Sequence, residues 1–473
     1  MIKMISTLGK TAIFSALFCS LLFVSCKNDT SKTDMALPAK TETKVAKEFV
    51  LPTWAKAANI YEVNIRQYTP EGTFNAFASH LPRLKKMGVD ILWLMPIFPI
   101  SIEKRKGGLG SYYAVSDFRN VNPEFGSMQD MESLITAAHN LDMKIILDWV
   151  PNHTGWDHVW LKDHKEYYTQ DNNGNVIDPI DPGTGKSWGW TDVADLNYDN
   201  KEMRAAMIND LLMWVSDKKI DGFRFDVAHN VPNDFWEDAK TKILEVDSNQ
   251  FLLAEAEIAE QMNNELFHMA YGWEFHHITN DIAKGEKDVK DIDAWLTKDN
   301  EEYKKGIKMH FTSNHDENSW AGTVFERMKD SHKAFSVLVS TFDGMPLIYG
   351  GQEEPLDRRL EFFEKDDIGF KDYKYADFYT KLNMLKHNNE ALWNGPHGGE
   401  LVKLADHKKI YAFSREKNGN EVIVIINLSK DNQTFDLTRD IDQMSELFTG
   451  IKSTIKEGTT VNMKPWEYKV YSK

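Results

Sequence analysis

Cysteine is nearly absent from this chain, with 2 in 473 residues. That count excludes a disulfide-built scaffold and a multi-cysteine zinc or iron–sulfur centre. Basic charge is in deficit too. Lys and Arg number 56 against 72 Asp and Glu, for a net charge of −16. The chain therefore lacks the basic footprint that nucleic acid as a main partner requires. Past the N-terminus no apolar run reaches the ~18 residues of a spanning helix. No Gly-rich dinucleotide or phosphate loop follows the first strand pattern. What the chain has is apolar and aromatic residues, 42% and 12%. That is enough to bury a large core and exclude global disorder.

The N-terminus reads as an address. Lys3 and Lys10 precede the uncharged run Thr11–Val24. The run is shorter than the ~20 residues of a membrane span and reads as the hydrophobic region of a secretory signal. It ends in Leu22-Phe23-Val24-Ser25-Cys26, similar to a bacterial lipobox in which Cys26 becomes the lipidated first residue. An ordinary cleaved signal with a bystander cysteine is the alternative. Residues 26–52, rich in Asn, Asp, Ser, Thr and Lys, read as a flexible tether. The expectation is an exported protein held to a membrane by a lipid anchor. An outer membrane, at its periplasmic or external face, is the expected site.

From Asn59 onward strands and helices alternate. Strand patterns fall at Ile60–Ile65, Val89–Leu94, Lys144–Trp149, Ile220–Asp226, Phe251–Ala254, Tyr271–His276, Ile307–Phe311 and Pro346–Tyr349. Helical spacing fills the gaps, as in Phe74–Met87, Met131–Leu141, Glu202–Asp217, Asp234–Leu244 and Ser331–Phe342. About eight such units predict an α/β fold, a closed (β/α)8 TIM barrel over 53–390. Residues 150–199, rich in Asp, Asn, Gly, Pro and Trp, interrupt it as a small insert subdomain after strand 3. Residues 391–473 alternate like an all-β sandwich domain. Trp156, Trp160, Trp188 and Trp190 crowd the insert. They form either its small core or a stacking rim for a ligand.

Barrel chemistry sits at the C-terminal strand ends, and four strands here end in acids: Asp148, Asp226, Glu255 and Asp316. In Asp221-Gly-Phe-Arg-Phe-Asp226, strand period two puts Arg224 and Asp226 on one face and Phe223 and Phe225 on the other. An adjacent guanidinium favours an ionised carboxylate, suited to a nucleophile; a buried pair that only staples the barrel is the alternative. Glu255 ends an apolar strand, where a raised pKa would suit a general acid. A nucleophilic and an acidic carboxyl together are the equipment of a retaining glycosidase.

These segments resemble the α-amylase family, glycoside hydrolase family 13. Gly88-Val-Asp-Ile-Leu-Trp-Leu-Met-Pro-Ile97, Ser111-Tyr-Tyr-Ala-Val-Ser-Asp117, Asp148-Trp-Val-Pro-Asn-His-Thr154 and Ala194-Asp-Leu-Asn197 follow the family's motifs in order. Gly222-Phe-Arg-Phe-Asp226, Leu253-Ala-Glu255, Asn314-His-Asp316 and Pro346-Leu-Ile-Tyr-Gly-Gly-Gln-Glu353 continue it. The resemblance implies Asp226 as nucleophile, Glu255 as general acid/base and Asp316 as a third carboxylate gripping the sugar hydroxyls. It implies Arg224 orienting Asp226, His153 and His315 hydrogen-bonding the sugar, Tyr113 stacking on it, and Asp148 in a structural role. Asn152 and Asp195 match two calcium-ligand positions; both also suit bracing of the insert without metal.

The implied activity is hydrolysis of α-1,4 bonds in starch-like α-glucans or maltooligosaccharides. No organic cofactor is implied. One departure stands out. His229-Asn230 occupies positions where amylases commonly carry Lys-His, which shifts the expectation toward oligosaccharide or pullulan-type specificity. A neopullulanase, cyclomaltodextrinase or transglycosylase of the same family is therefore the alternative. A non-catalytic surface glucan-binding protein is a remote one, since all three carboxylates are present.

Overall fold

The computed structural model describes residues 49–181 and 183–473. The signal, the Cys26 lipidation site and the tether up to residue 48 lie outside the described residues. Eight parallel strands close into a barrel: Ile60–Val63 (β1), Ile91–Leu94 (β2), Lys144–Trp149 (β3), Gly222–Phe225 (β4), Phe251–Ala254 (β5), Met269–Tyr271 (β6), Ile307–His310 (β7) and Met345–Tyr349 (β8). Each pairs with its sequence neighbours, and β1 closes on β8 through Ile60 opposite Leu347. The fold is the TIM barrel that the alternation of strand and helix predicts.

Side-chain parity sorts the strands into two cores. Ile60, Ile91, Trp93, Ile146, Leu253, Met269, Met309 and Leu347 fill the lumen. Tyr61, Val63, Leu92, Leu94, Ile145, Leu147, Phe223 and Phe225 face the helical ring. Strand period two means each strand sends alternate residues to each core. The same parity places Glu62, Asp148 and Arg224 in the lumen, above Ile60, Ile146 and Gly222. All three are buried.

Two expectations need correction. Tyr271–His276 is not a strand: β6 ends at Tyr271, and the helix Trp273–Lys284 starts after Gly272. The aromatic alternation there belongs to the first helical turn. Phe74–Met87 is not one helix either. It divides into Phe74–Ala78 and Leu81–Lys86, with Pro82 in the first turn of the second. A proline lacks the N–H that a continuous helix needs, and it favours a fresh N-terminus.

The insert after β3 is stitched by His153–Gly155 pairing antiparallel with Val193–Asp195. The C-terminal region is an antiparallel six-stranded sheet with a second, two-stranded one. Its central strands Ile410–Lys417 and Asn420–Asn427 bury both faces. Tyr411, Phe413, Val422, Val424 and Ile426 join the core around the barrel helices, while Ile410, Ala412, Ile423 and Ile425 form a separate core with Ile441 and Met444. Buried Arg415 donates to Phe342 O at 2.7 Å, on the barrel, and to Gly399 O at 2.9 Å. No helix among the described residues is long and apolar enough to cross a membrane.

Candidate active site

Arg224, fully buried at the top of the lumen, organises the mouth. Its Nη1 donates to Asp148 Oδ1 at 2.7 Å and to Asp226 Oδ1 at 2.8 Å. Its Nη2 lies 2.8 Å from Glu255 Oε1, and its Nε donates to Tyr271 OH at 3.1 Å. One guanidinium thus carries three carboxyls from β3, β4 and β5. The sequence-derived neighbours Arg224 and Asp226 do sit side by side. Asp226 and Glu255 thus share one cation, on its two terminal nitrogens.

Val227, just after Asp226, holds φ 46° and ψ 39°. A β-branched residue in the left-handed region is strained, and such strain concentrates at functional sites. Here the conformation turns the Val227 N–H onto Glu255 Oε2 at 2.8 Å. His229 and Asn230 lie on the single turn that follows, with His229 exposed.

The charge states differ from expectation. Burial and the neighbouring Glu255 push Asp226 well above the usual Asp range, against the pull of Arg224. Glu255 moves the other way: burial raises it, but Arg224 and the Val227 N–H together hold it below the usual Glu range. In the free site Asp226 is therefore the acid pushed toward its neutral form, and Glu255 the one pulled toward its charged form. The apolar strand before Glu255 suggests the reverse because sequence does not show that Arg224 reaches both acids. Asp148 is raised to about 6, mainly by burial, and its Oδ2 accepts from Trp93 Nε1 and Tyr113 OH, each at 3.1 Å. These bonds tie β3 to Arg224, Trp93 and Tyr113.

A residue that sequence reasoning passed over completes the mouth. Glu62, on β1, contacts His315 Nδ1 at 2.5 Å. Burial works against a charged His315, yet Asp316 and Glu62 raise its pKa to about 9. Both ring nitrogens then carry protons. The Nε2–H faces Tyr113 OH at 2.8 Å and Asp316 Oδ2 at 3.4 Å. A relay runs from Glu62 through His315 and Tyr113 to Asp148. The only sequence signal for Glu62 was a lone acid at lumen parity in β1.

Tyr113 is half-buried, its ring stacked on His315 at 5.6 Å. Asp316 is the most open of the acids, with its side chain 40% exposed. His153 is buried, and burial lowers its pKa to about 4. Its Nδ1 accepts from Asn152 Nδ2 at 3.2 Å, so the neutral ring presents Nε2–H as a donor.

Asn152 adjoins Asp195 across the insert ribbon, since His153 pairs with Asp195. Burial pushes Asp195 up to about 6. No cluster of three or more His, Cys, Asp or Glu able to hold a metal occurs among the described residues. The tryptophans divide between the two readings. Trp160 packs among Phe118, His158 and Tyr167 in the insert core. Trp188 and Trp190 stack at 5.7 Å, with Trp188 42% exposed and Trp190 5.7 Å from His153.

A closed parallel barrel whose mouth gathers paired carboxyls around one arginine defines a class, the TIM-barrel glycosidases. Similarity to known proteins narrows it. Residues 28–367 match the family described as "Alpha amylase, catalytic domain", and residues 410–468 match "Alpha-amylase SusG C-terminal domain". "Alpha-amylase 3" of Dictyoglomus thermophilum is 25% identical, over 87% of this chain and 92% of its own length. The noncanonic maltogenic α-amylase AmyB of Thermotoga neapolitana superposes with a TM-score of 0.78 at 26% identity, over 89% of this chain and 99% of that one. An α-amylase of Lactobacillus plantarum gives 0.76 at 27% identity, covering 89% and 99%. The chain belongs to the α-amylase family, glycoside hydrolase family 13, and is a glycosidase of that family.

Proposed function

We propose that the chain is a retaining hydrolase of α-1,4-glucosidic bonds in starch-like α-glucans and maltooligosaccharides. One observation carries this reading: Asp226 Oδ1 and Glu255 Oε1 each lie 2.8 Å from a terminal nitrogen of the same Arg224 guanidinium. Two carboxyls held on the two terminal nitrogens of one guanidinium are brought close together, which supports the short spacing of a retaining site over the wider one of an inverting site.

In the proposed reaction the pair's proton is on Glu255 and Asp226 is ionised. Glu255 then protonates the glycosidic oxygen as an Asp226 oxygen attacks the anomeric carbon. The carbon–oxygen bond to the departing sugar breaks, leaving a glycosyl-Asp226 ester. Water, deprotonated by Glu255, cleaves that ester and returns Asp226 to its carboxylate. Asp316, His315 and His153 bind the hydroxyls of the retained sugar, and Tyr113 offers its ring face. Arg224 keeps a positive charge against the nucleophile throughout.

NMR of the first-formed product tests the mechanism. The α-anomer is expected, and initial β-anomer would overturn it. Rates on starch, pullulan and cyclodextrin, with and without an acceptor sugar, test the substrate. Preference for pullulan or cyclodextrin, or transfer to the acceptor, would replace the present reading with the neopullulanase, cyclomaltodextrinase or transglycosylase one.

Calcium held in part by Asn152 and Asp195 belongs to the same proposal. Both offer hard oxygen ligands, and a chelator-induced fall in Tm tests it. Export and a lipid on Cys26 complete it, supported by the sequence Leu22–Cys26. Loss of membrane association in Cys26→Ala tests the anchor.

A further inference from the structure

The mouth of the barrel is walled on one side. The connections after β4, β5 and β6 are short: residues 226–232, residues 255–258 and Gly272 alone. Those after β7, β8, β2 and β3 are long: residues 311–323, 350–375, 95–127 and 150–200. β1, whose own connection is Asn64 alone before the helix Ile65–Tyr68, lies between β8 and β2, so the four long connections flank it on the side of the ring that runs from β7 to β3.

The long connections also hold one another. Residues 102–110, from the β2 connection, make a strap between two neighbours. Toward the insert, Ile102 N–H donates to Asp157 Oδ2 at 2.8 Å, and Lys106 Nζ meets Asp192 at 2.8 Å and Gly189 O at 3.2 Å. Asp192 is buried. Toward the β8 connection, Gly108 N–H donates to Glu364 Oε1 at 2.6 Å and Leu109 N–H to Phe363 O at 2.9 Å. Gly107 and Gly108 permit this approach, because a Cβ on either would collide with Phe363 or the Glu364 carboxylate. The β8 connection is tied in turn to the β7 connection: Leu360 N–H donates to Asn318 Oδ1 at 2.9 Å, and Thr323 Oγ1 to Asp357 Oδ1 at 2.8 Å.

Aromatic faces line this same side. Phe362 lies parallel to Tyr113, at 6.4 Å and 9°. Trp320 follows at 5.2 Å from Phe362, with 56% of its surface exposed. Sugar faces carry C–H groups that favour such rings.

The roles proposed above orient the chain, and the inference rests on them. Glu255 protonates the departing oxygen, so the reducing-end portion leaves past β5, over the short connections. The retained sugar sits with His315, Asp316 and Tyr113, against the wall. We infer that the strap 102–110 closes the non-reducing-end side of the cleft. The enzyme then removes a short fragment from non-reducing ends instead of cutting inside chains, with Phe362 and Trp320 facing the sugars beyond the one cleaved. The departing portion, over the open side, has no length limit.

Two substrates that differ at one sugar test this: 4-nitrophenyl maltoheptaoside, and the same compound with its non-reducing terminal glucose blocked by a 4,6-O-ethylidene group. Products are read by mass spectrometry. The wild-type enzyme is expected to cleave the free heptaoside at least 20-fold faster, releasing one short fragment size. Lys106→Ala, which loosens the strap from the insert, should narrow that ratio at least 5-fold and spread the fragment sizes. Equal wild-type rates on both substrates would overturn the inference and leave the proposed hydrolysis standing. Failure to cleave either one would overturn the hydrolysis reading itself, and the inference with it. If Lys106→Ala does not fold, the wild-type ratio decides alone.

Discussion

Asp226 Oδ1 and Glu255 Oε1 lie 2.8 Å from the two terminal nitrogens of one guanidinium, Arg224, and two buried carboxyls so placed hold one proton between them across a wide pH range. The working form is singly protonated. A bell-shaped kcat/KM profile is expected, falling on the acid side as Asp226 and Glu255 both become neutral and on the alkaline side as the shared proton leaves. Its limbs belong to the pair, not to either residue. Glu255→Gln should lower turnover by about 10²–10⁴-fold, the usual value of a general acid.

The raised pKa of Asp226 also makes a stability prediction. A carboxyl raised on folding contributes stability that is fully present below its unfolded value, about 4, and that is lost as pH rises through the folded value. Asparagine carries no such loss. The Tm of Asp226→Asn should therefore exceed that of the wild type by a margin that widens from pH 5 to pH 8, while turnover falls by about 10³-fold or more. Calorimetry at several pH values checks this. A margin independent of pH would argue against a shared proton.

Glu62 and His315 give a prediction at higher pH. His315 is raised to about 9 by Asp316 and Glu62 in spite of burial, so its contribution is fully present below about 6.5 and is lost as pH climbs toward that folded value. Glu62→Gln removes one of the two anions. The His315 ring should then lose its proton at a pH lower by about one unit or more, and stability should become flatter between pH 7 and pH 9. Titration of the His315 ring by NMR reads the shift directly.

Arg224→Lys keeps one charge but loses the fork that reaches Asp148, Asp226 and Glu255 together. Removing a partner from a buried ionic cluster costs about 3–5 kcal/mol. Chemical denaturation should register a loss on that scale, and activity should drop at least as far as in Glu255→Gln. A near-neutral Arg224→Lys would show that the lysine ammonium serves all three acids as well.

The barrel was legible in sequence wherever a strand was apolar on both faces. Lys144–Trp149 and Phe251–Ala254 match to the residue, because a continuous apolar run is what a buried parallel strand requires. Met269–Tyr271 was not, since three residues give no period to read and the aromatics after it belong to a helix. The grouping of Arg224 with Asp226 followed from strand parity. The opposite shifts of Asp226 and Glu255 did not, because they depend on Arg224 reaching across to Glu255 on the next strand and on the strained backbone of Val227. Glu62 was visible at the right parity, but nothing local linked β1 to a histidine 253 positions away.

Arg415 gives the C-terminal sheet a role beyond coverage. Its bonds to Phe342 O and Gly399 O, together with Tyr411, Phe413 and Val424 in the core around the barrel helices, join sheet and barrel into one cooperative unit. Each such buried apolar side chain contributes about 1.5–3 kcal/mol, so neither part has reason to melt first. A chain truncated after the barrel would bare a greasy strip on its helices and tend to clump with its own copies, and the intact protein should melt in a single transition.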